Sequence, residues 1–415
     1  MKIAVVGGGS TYTPELVSGL AGERERLDVT ELVLQDIDPE RLEVVGGLAG
    51  RMLARDEFSG ELTLTDELDR ALDGADFVLV QIRVGGQAAR HLDETIPLRC
   101  GCVGQETTGA GGFAKAMRTV PVMLEIAERV RERAAPDAWI VDFTNPVGIV
   151  TRALLDHGHR ACGLCNVAIG LQRWIARGLE VAPERVTIGQ VGLNHLTWVR
   201  SVEVDGEDIL ERLLAERLDE IADEIGLPAR LIRDLGAIPS YYLRYFYQHD
   251  QVVTESRGKP SRAEQVQEIE AGLLELYRDP ALVEKPALLE QRGGAFYSEA
   301  ATQLVAALAT GEGPVQVVDV RNDGAIPGLA DDDVVELPAR IRRSGPEPLP
   351  QAPLAPELLG LVQHVAAYER LAAAAAVADT RAARWRALLA HPLIGQDAMA
   401  CELAEALYIA EKAPA

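Results

Sequence analysis

Apolar positions along the chain recur with two alternating periods. Lys2-Ile3-Ala4-Val5-Val6, Glu31-Leu32-Val33-Leu34-Gln35, Ala75-Asp76-Phe77-Val78-Leu79-Val80 and Ala138-Trp139-Ile140-Val141 are short, nearly unbroken apolar runs of strand length, and Leu62-Thr63-Leu64-Thr65 alternates as a strand with one polar face does. Between them the spacing changes to three and four, which predicts helices over 15–20, 42–53, 68–72, 117–134 and 147–155. Strands alternating with helices predict a parallel, doubly wound α/β sheet, with ligands beyond the strand C-termini. Later the alternation loosens. A strand is expected at 186–191, acid-rich helices over 210–225, and a strand at 315–320 ending in the turn Asn322-Asp323-Gly324. Alanine-rich helices, with Leu371-Ala372-Ala373-Ala374-Ala375-Ala376 among them, close the chain as scaffold. This division suggests two domains, 1–165 and a mixed α/β domain over 166–415.

The first strand runs directly into Gly7-Gly8-Gly9-Ser10 and then Thr13-Pro14 before a helical segment. Thr13 suits an N-cap and Pro14 the first helical turn. A strand, a glycine turn and a helix N-terminus make an anion site, where main-chain N–H groups and the helix dipole face a phosphate. The second strand ends at Asp36, where a Rossmann-like fold places the carboxylate that accepts ribose hydroxyls. Tyr12 occupies the place of the third glycine of the usual fingerprint. A tight turn in any α/β protein is the plainer alternative. The spacing to Asp36 favours a nicotinamide dinucleotide, and Asp36 with Asp38 favours NAD over NADP, because a carboxylate repels a 2′-phosphate. Gly7, Gly8, Gly9, Ser10, Thr11, Asp36, Arg83 and Asn145 form the expected cofactor set.

Composition narrows the class. The 415 residues are 47% hydrophobic and 25% charged, as in ordinary globular proteins with room for two or three domains. A net charge of −23 argues against a nucleic-acid partner but leaves room for a local arginine cluster and a small anionic substrate. No apolar run reaches membrane-spanning length and no secretory leader is legible. Five cysteines, an odd number, suit reduced thiols, and so a cytoplasmic protein.

Candidate chemistry lies in the loops. Arg83 and Arg90 flank a glycine pair after the fourth strand and could clamp a phosphate or carboxylate, or could be two solvated surface arginines. The polar, glycine-rich stretch 104–113 reads as a long loop, a kind that is often functional. Asn145-Pro146 ends the fifth strand. Its amide could bind the nicotinamide ribose or a substrate hydroxyl, and a plain strand-ending turn is an even alternative. Cys162 and Cys165 have C-x-x-C spacing with no second pair. Cys165 with His195 could hold one divalent metal; a small buried hydrophobe and a core histidine serve the spacing as well or slightly better. Tyrosines gather at Tyr241, Tyr242, Tyr245 and Tyr247. Such aromatic stripes are usually core, but a phenol beside a metal could act as a base. Arg262 lies near a helix start, where an anion is favoured.

Taken in order, several stretches together resemble glycoside hydrolase family 4, the NAD- and metal-dependent glycosidases, and within it the 6-phospho-β-glucosidases. They are Gly7-Gly8-Gly9-Ser10-Thr11-Tyr12-Thr13-Pro14, Ile82-Arg83-Val84-Gly85-Gly86, Val103-Gly104-Gln105-Glu106-Thr107, Asn145-Pro146, Cys165-Asn166, Gly192-Leu193-Asn194-His195, Tyr242-Leu243-Arg244-Tyr245 and Arg262-Ala263-Glu264. Each is weak alone; the ordered set is specific and spans the chain. The resemblance implies Cys165 and His195 as metal ligands, usually for Mn²⁺, which reverses the preference that spacing alone gave. It implies Tyr242 as the base ahead of Tyr241, with Glu106 tuning its basicity. Asn145 and Asn166 would contact the sugar, with Asn166 standing where the α-glucosidase branch carries Asp. Arg90 and Arg262 would bind substrate, with the 6-phosphate as target. Ala168 departs from a family proline, loosening one loop while leaving the ligand positions intact. The implied reaction oxidises C3 of the sugar transiently with NAD⁺, removes the C2 proton, eliminates the aglycone and adds water, outside the usual two-carboxylate scheme. A homodimer or homotetramer is implied only by the family. Two other readings remain. A 2-hydroxy-acid dehydrogenase fits the first domain equally well, since resemblance to lactate and malate dehydrogenases is visible there, but leaves Cys165 unexplained. A non-catalytic NAD-binding sensor leaves the whole Cys165, His195 and Tyr242 set unexplained.

Overall fold

The fold follows from how the strands bury both faces. In β1 (Lys2–Val6) and β2 (Glu31–Gln35), Ile3, Val5, Leu32 and Leu34 face one apolar layer, with the helices Pro39–Arg55 and Tyr297–Thr310. Their neighbours Ala4, Val6 and Val33 face the opposite layer, built on the helix Gly109–Arg133. A strand covered on both sides must be apolar at every position, which is why these runs show no alternation. The computed structural model describes residues 1–294 and 296–412.

Among the described residues the other strands are β3 (Glu61–Thr65), β4 (Phe77–Val80), β5 (Trp139–Asp142), β6 (Ala161–Gly163), β7 (Val186–Leu193), β8 (Leu196–Val204), β9 (Glu207–Asp208), β10 (Ile238–Pro239), β11 (Val315–Arg321), β12 (Val334–Arg342) and β13 (Gly345–Pro348). They form one sheet in the order β3-β2-β1-β4-β5-β6-β11-β12-β7-β8-β10, with β13 beside β12 and β9 beside β8. The first six are parallel in the doubly wound order 3-2-1-4-5-6, as the alternation predicts. Register aligns Val6 with both Gln35 and Val80, so β1, β2 and β4 end together and their loops share one edge.

Beyond β6 the sheet turns antiparallel. β11 meets β6 at the single pair Asp319 and Gly163, and β12 meets β7 at Glu336 and Gly192. The hairpin of β7 and β8 carries Asn194-His195 at its tip. Later segments also fold back over the first half. The helix Tyr297–Thr310 packs on Thr13–Gly22, and Pro356–Ala378 packs on Gly109–Arg133 and Val147–Asp156. Among the described residues no helix is long and apolar enough to cross a membrane.

Two local expectations are corrected. The stretch 104–113 is a loop only as far as Thr108, and Gly109 already opens a 25-residue helix. Its glycines answer to packing. A Cβ on Gly111 would lie 2.3 Å from the Gln105 carbonyl oxygen, and one on Gly112 would lie 2.5 Å from the Thr107 carbonyl carbon. Thr13 is not an N-cap. It is the first helical residue, and its hydroxyl donates to Gly8 O (2.8 Å) and accepts from Gln81 Nε2 (2.8 Å), tying the glycine turn to the end of β4.

Candidate active site

A cavity of about 1650 Å³ opens at this edge of the sheet. Gly7, Ser10, Asp36, Arg83 and Asn145 line it, as do Glu106, Asn166, His195, Tyr242, Arg90 and Arg262. Gly8, Gly9 and Thr11 stand behind the surface. Gly7 has φ +89°, and a Cβ there would lie 2.9 Å from the Gln81 carbonyl oxygen, so only glycine fits.

The glycine turn differs from its sequence reading in one respect. Its N–H groups do not all face the cavity: those of Gly7 and Gly8 donate to Gln35 O (2.9 and 2.7 Å), and that of Gly9 donates to Asp36 Oδ2 (2.8 Å). Asp36 therefore clamps the turn as well as facing the cavity. Its Oδ1 accepts from the Asp38 main chain (3.0 Å), while the Asp38 side chain caps the helix Pro39–Arg55 by accepting from Arg41 N (3.0 Å). Asp38 thus caps a helix while also lining the cavity.

Cationic side chains replace the spent N–H groups. Arg292 Nε donates to Thr11 Oγ1 (2.7 Å), its Nη2 lies 3.5 Å from Ser10 Oγ, and it is held by Glu270 at 3.2 Å. Arg41 Nε donates to Gly9 O (2.9 Å) and its Nη2 pairs with the same Glu270 (3.4 Å). Sequence reading missed all three residues. Arg292 comes from almost three hundred residues downstream, and its only local signal is the Gly293-Gly294 pair behind it. Tyr12, in the place of the third glycine, donates its hydroxyl to Gly294 O and so anchors that segment on the turn.

Arg83 and Arg90 clamp a carboxylate that belongs to the protein. Arg83 Nη1 pairs closely with Glu106 Oε2, Arg90 Nη2 lies 3.2 Å from Glu106 Oε1, and Arg90 Nε donates to Glu94 (2.7 Å). Lys115, on the buried face of Gly109–Arg133, donates to Glu106 at 2.6 Å. Burial alone would raise the Glu106 carboxyl; Arg83, Lys115 and Arg90 together hold it well below the usual carboxylate range. Burial, with Arg83 beside it, brings the Lys115 ammonium down to about 8. Lys115 was missed because its neighbours Phe113, Ala114, Ala116 and Met117 are apolar, a context that hides a buried charge.

Cys165, His195 and Tyr242 converge nearby. The His195 ring stacks on Tyr242, with centroids 3.6 Å apart and planes 9° apart. His195 sits in the left-handed region (φ 62°), and Nδ1 meets Thr107 Oγ1 at 2.8 Å. Burial lowers its pKa to about 3, so the imidazole is neutral. Burial, then Glu336, pushes the Cys165 thiol well up; burial, then Tyr241 and Cys165, does the same to the Tyr242 phenol. A thiolate, once Cys165 gives up its proton on binding a cation, and a neutral imidazole are a chemically fitting donor pair for a divalent transition-metal ion. Among the described residues no group of three or more His, Cys, Asp or Glu is placed to hold a metal. Asn145 Oδ1 is buried with no hydrogen-bond partner among the described residues, an acceptor awaiting a donor. Its peptide bond to Pro146 is cis. Arg262 Nη2 donates to Gln291 O (2.8 Å), and Ser261 caps the helix it opens.

The sequence pattern of the family 4 glycosyl hydrolases matches residues 2–181, and that of their C-terminal domain matches 190–394. The chain belongs to glycosyl hydrolase family 4. A family relative from Bacillus subtilis (strain 168), a probable 6-phospho-β-glucosidase, is 39% identical over all of this chain and 97% of its own length. A crystal structure of the 6-phospho-β-glucosidase from Thermotoga maritima with manganese, NAD⁺ and glucose-6-phosphate superposes with a TM-score of 0.92. It is 36% identical and covers 99% of this chain and 98% of the other. A malate dehydrogenase from Salinibacter ruber, 15% identical, superposes with a TM-score of 0.57 over 92% of this chain and 99% of its own, which shows likeness of fold. The doubly wound half and its antiparallel continuation are therefore a family 4 fold that shares its plan with malate dehydrogenase.

Proposed function

We propose that this chain is a 6-phospho-β-glucosidase that works with NAD⁺ and a divalent cation, manganese first among the candidates. One observation carries the reading: the glycine turn with Asp36 and the stacked His195–Tyr242 pair beside Cys165 open into a single cavity. A simple hydroxy-acid dehydrogenase has no use for the thiol, and a sensor has no use for the phenol. An ordinary glycosidase would need two carboxyls flanking the sugar. The buried carboxylates that line this cavity, Glu94, Glu106 and Glu270, are each paired with arginine or lysine side chains instead.

Asp36 receives the ribose hydroxyls of the dinucleotide, and Ser10 with Arg292 receives its pyrophosphate. Cys165 and His195 hold the cation. When bound, the dinucleotide supplies reversible oxidation at C3 of the sugar, and the cation supplies positive charge that acidifies the C2 proton. Tyr242 accepts that proton. Burial keeps its phenol protonated at rest, so its service as a base depends on the nearby positive charge. Tyr241, 42% exposed and hydrogen-bonded to Tyr242, gives the proton a path to solvent. Asn145 and Asn166 orient the sugar hydroxyls. Arg262 is the better candidate for the 6-phosphate, because Arg90 is already committed to Glu94 and Glu106.

Hydrolysis of a chromogenic 6-phospho-β-glucoside under reducing conditions tests this. Activity that needs both NAD⁺ and Mn²⁺, without net NADH, and that is lost on the unphosphorylated glucoside, is the expected result. Activity on the unphosphorylated sugar alone removes the role given to Arg262. Steady NADH release with a 2-hydroxy acid, and no glycoside cleavage, overturns the proposal.

A further inference from the structure

We infer that Thr107, oriented by Gln105, fixes which nitrogen of His195 faces the cation; this rests on the reading of His195 as a metal ligand. Gln105 Oε1 receives the main-chain N–H groups of Thr107 (2.5 Å) and Thr108 (2.7 Å). Two N–H donors on one terminal atom identify it as the amide oxygen, an acceptor only. Thr107 Oγ1 lies 2.7 Å from that same oxygen, so the hydroxyl must spend its single proton there. Its contact with His195 Nδ1, at 2.8 Å, can then only be made as an acceptor. Nδ1 therefore carries the hydrogen. In a neutral imidazole this leaves the lone pair on Nε2, the form a metal ligand requires.

The surroundings hold this relay in place. Gly111 and Gly112 let the start of their helix press against Gln105 and Thr107, where any Cβ would collide. The stack on Tyr242 fixes the plane of the imidazole. With the plane and the Nδ1–H both fixed, Nε2 has one direction left. Thr107 is a positioning residue: it need not touch substrate, cofactor or cation.

The test is Mn²⁺ affinity of the metal-stripped full-length chain, read as free Mn²⁺ by electron paramagnetic resonance with NAD⁺ saturating. Thr107→Val keeps the shape and removes the acceptor. It should weaken Mn²⁺ about 10- to 100-fold, the range seen when such outer partners are removed. Thr107→Ser should restore affinity, and the NAD⁺ dissociation constant should not move in either variant. His195→Ala is the control for the underlying reading. If it leaves Mn²⁺ affinity intact, the ligand assignment falls and this inference falls with it. If His195→Ala abolishes binding while Thr107→Val does not weaken it, the inference alone is overturned. Should Thr107→Val fail to fold, ¹⁵N spectra of the wild-type histidines decide. A proton on Nδ1 of His195 supports the relay, and a proton on Nε2 refutes it.

Discussion

The charged cluster around Glu106 predicts a strong asymmetry between two substitutions of one ion pair. Glu106 is 8% exposed and Lys115 3% exposed. The cluster holds Arg83, Arg90 and Lys115 against Glu106 and Glu94, a surplus of one positive charge. Glu106→Gln raises that surplus to two and leaves Lys115 buried, and Arg83 half-buried, without their carboxylate, a break that costs about 3–5 kcal/mol. Lys115→Met removes the surplus. Glu106 still has both arginines, and an unbranched apolar side chain fills the space, so the cost is about 0–2 kcal/mol. For 415 residues the entropy of unfolding is roughly 0.9 kcal/mol per kelvin. Glu106→Gln should therefore lower Tm by about 3–6 °C and Lys115→Met by no more than about 2 °C. The double variant returns the surplus to one and should recover about 1–3 kcal/mol relative to the sum of the singles. Thermal and urea unfolding of the four proteins, at fixed salt and without ligands, measures the cycle. Equal losses from the two single changes, or strict additivity, would refute the reasoning, because either would mean that Lys115 is not the excess charge.

Three further outcomes follow from the same geometry. Arg292→Lys keeps a charge for Glu270 but loses the fork on Thr11 and Ser10, so NAD⁺ should bind about tenfold more weakly by calorimetry, or about 1.4 kcal/mol; unchanged binding would remove Arg292 from the pyrophosphate. Tyr242→Phe should cut hydrolysis by about 10²- to 10⁴-fold with NAD⁺ affinity intact, while Tyr241→Phe stays within about tenfold of wild type; equal losses would sink the choice of base. Burial raises the Glu369 carboxyl from 4.5 to about 8, so between those values the folded chain keeps a proton that the unfolded chain releases. Stability should fall as pH climbs through that window and then level off, by at most roughly 1.4 kcal/mol per pH unit, and Glu369→Gln should flatten the decline in pH-dependent unfolding.

What the sequence made legible, and what it hid, divides along a physical line. Strand and helix periods are properties of contiguous residues, so β1 to β5 and most of the helices between them could be read directly, whereas the three-residue β6 is too short to show a period and the helix Gly86–Arg99 reads as a loop. So could the glycine turn and Asp36, which one βαβ unit contains. Cys165, His195 and Tyr242 were ambiguous by spacing alone, and only the ordered set of motifs raised them above a buried thiol and a core histidine. The charged neighbours were illegible because burial of a charge is decided by distant partners. Lys115 looks like any helical lysine until Glu106 is laid 2.6 Å away. Arg292 reaches the glycine turn only because the later segments fold back across the first half.

The segment Gln105-Glu106-Thr107 shows why that line runs where it does. As sequence it is three polar residues before a glycine-rich stretch, consistent with any exposed loop. In the fold each side chain has a separate task set by burial. Gln105 satisfies three donors of its own loop, Glu106 neutralises a cluster of cations, and Thr107 passes a hydrogen-bond direction to His195. Loss of a polar atom is costly at each of the three, because Thr108, Lys115 and His195 among their partners are buried and would be left unsatisfied. The glycines that follow are part of the same device: they admit the helix close enough for the loop to be buried at all. A motif that reads as flexible and polar is thus a hydrogen-bonded connection between a charge cluster and the histidine proposed to hold the cation. Its sensitivity to substitution should follow the burial of the partners rather than the polarity of the residues.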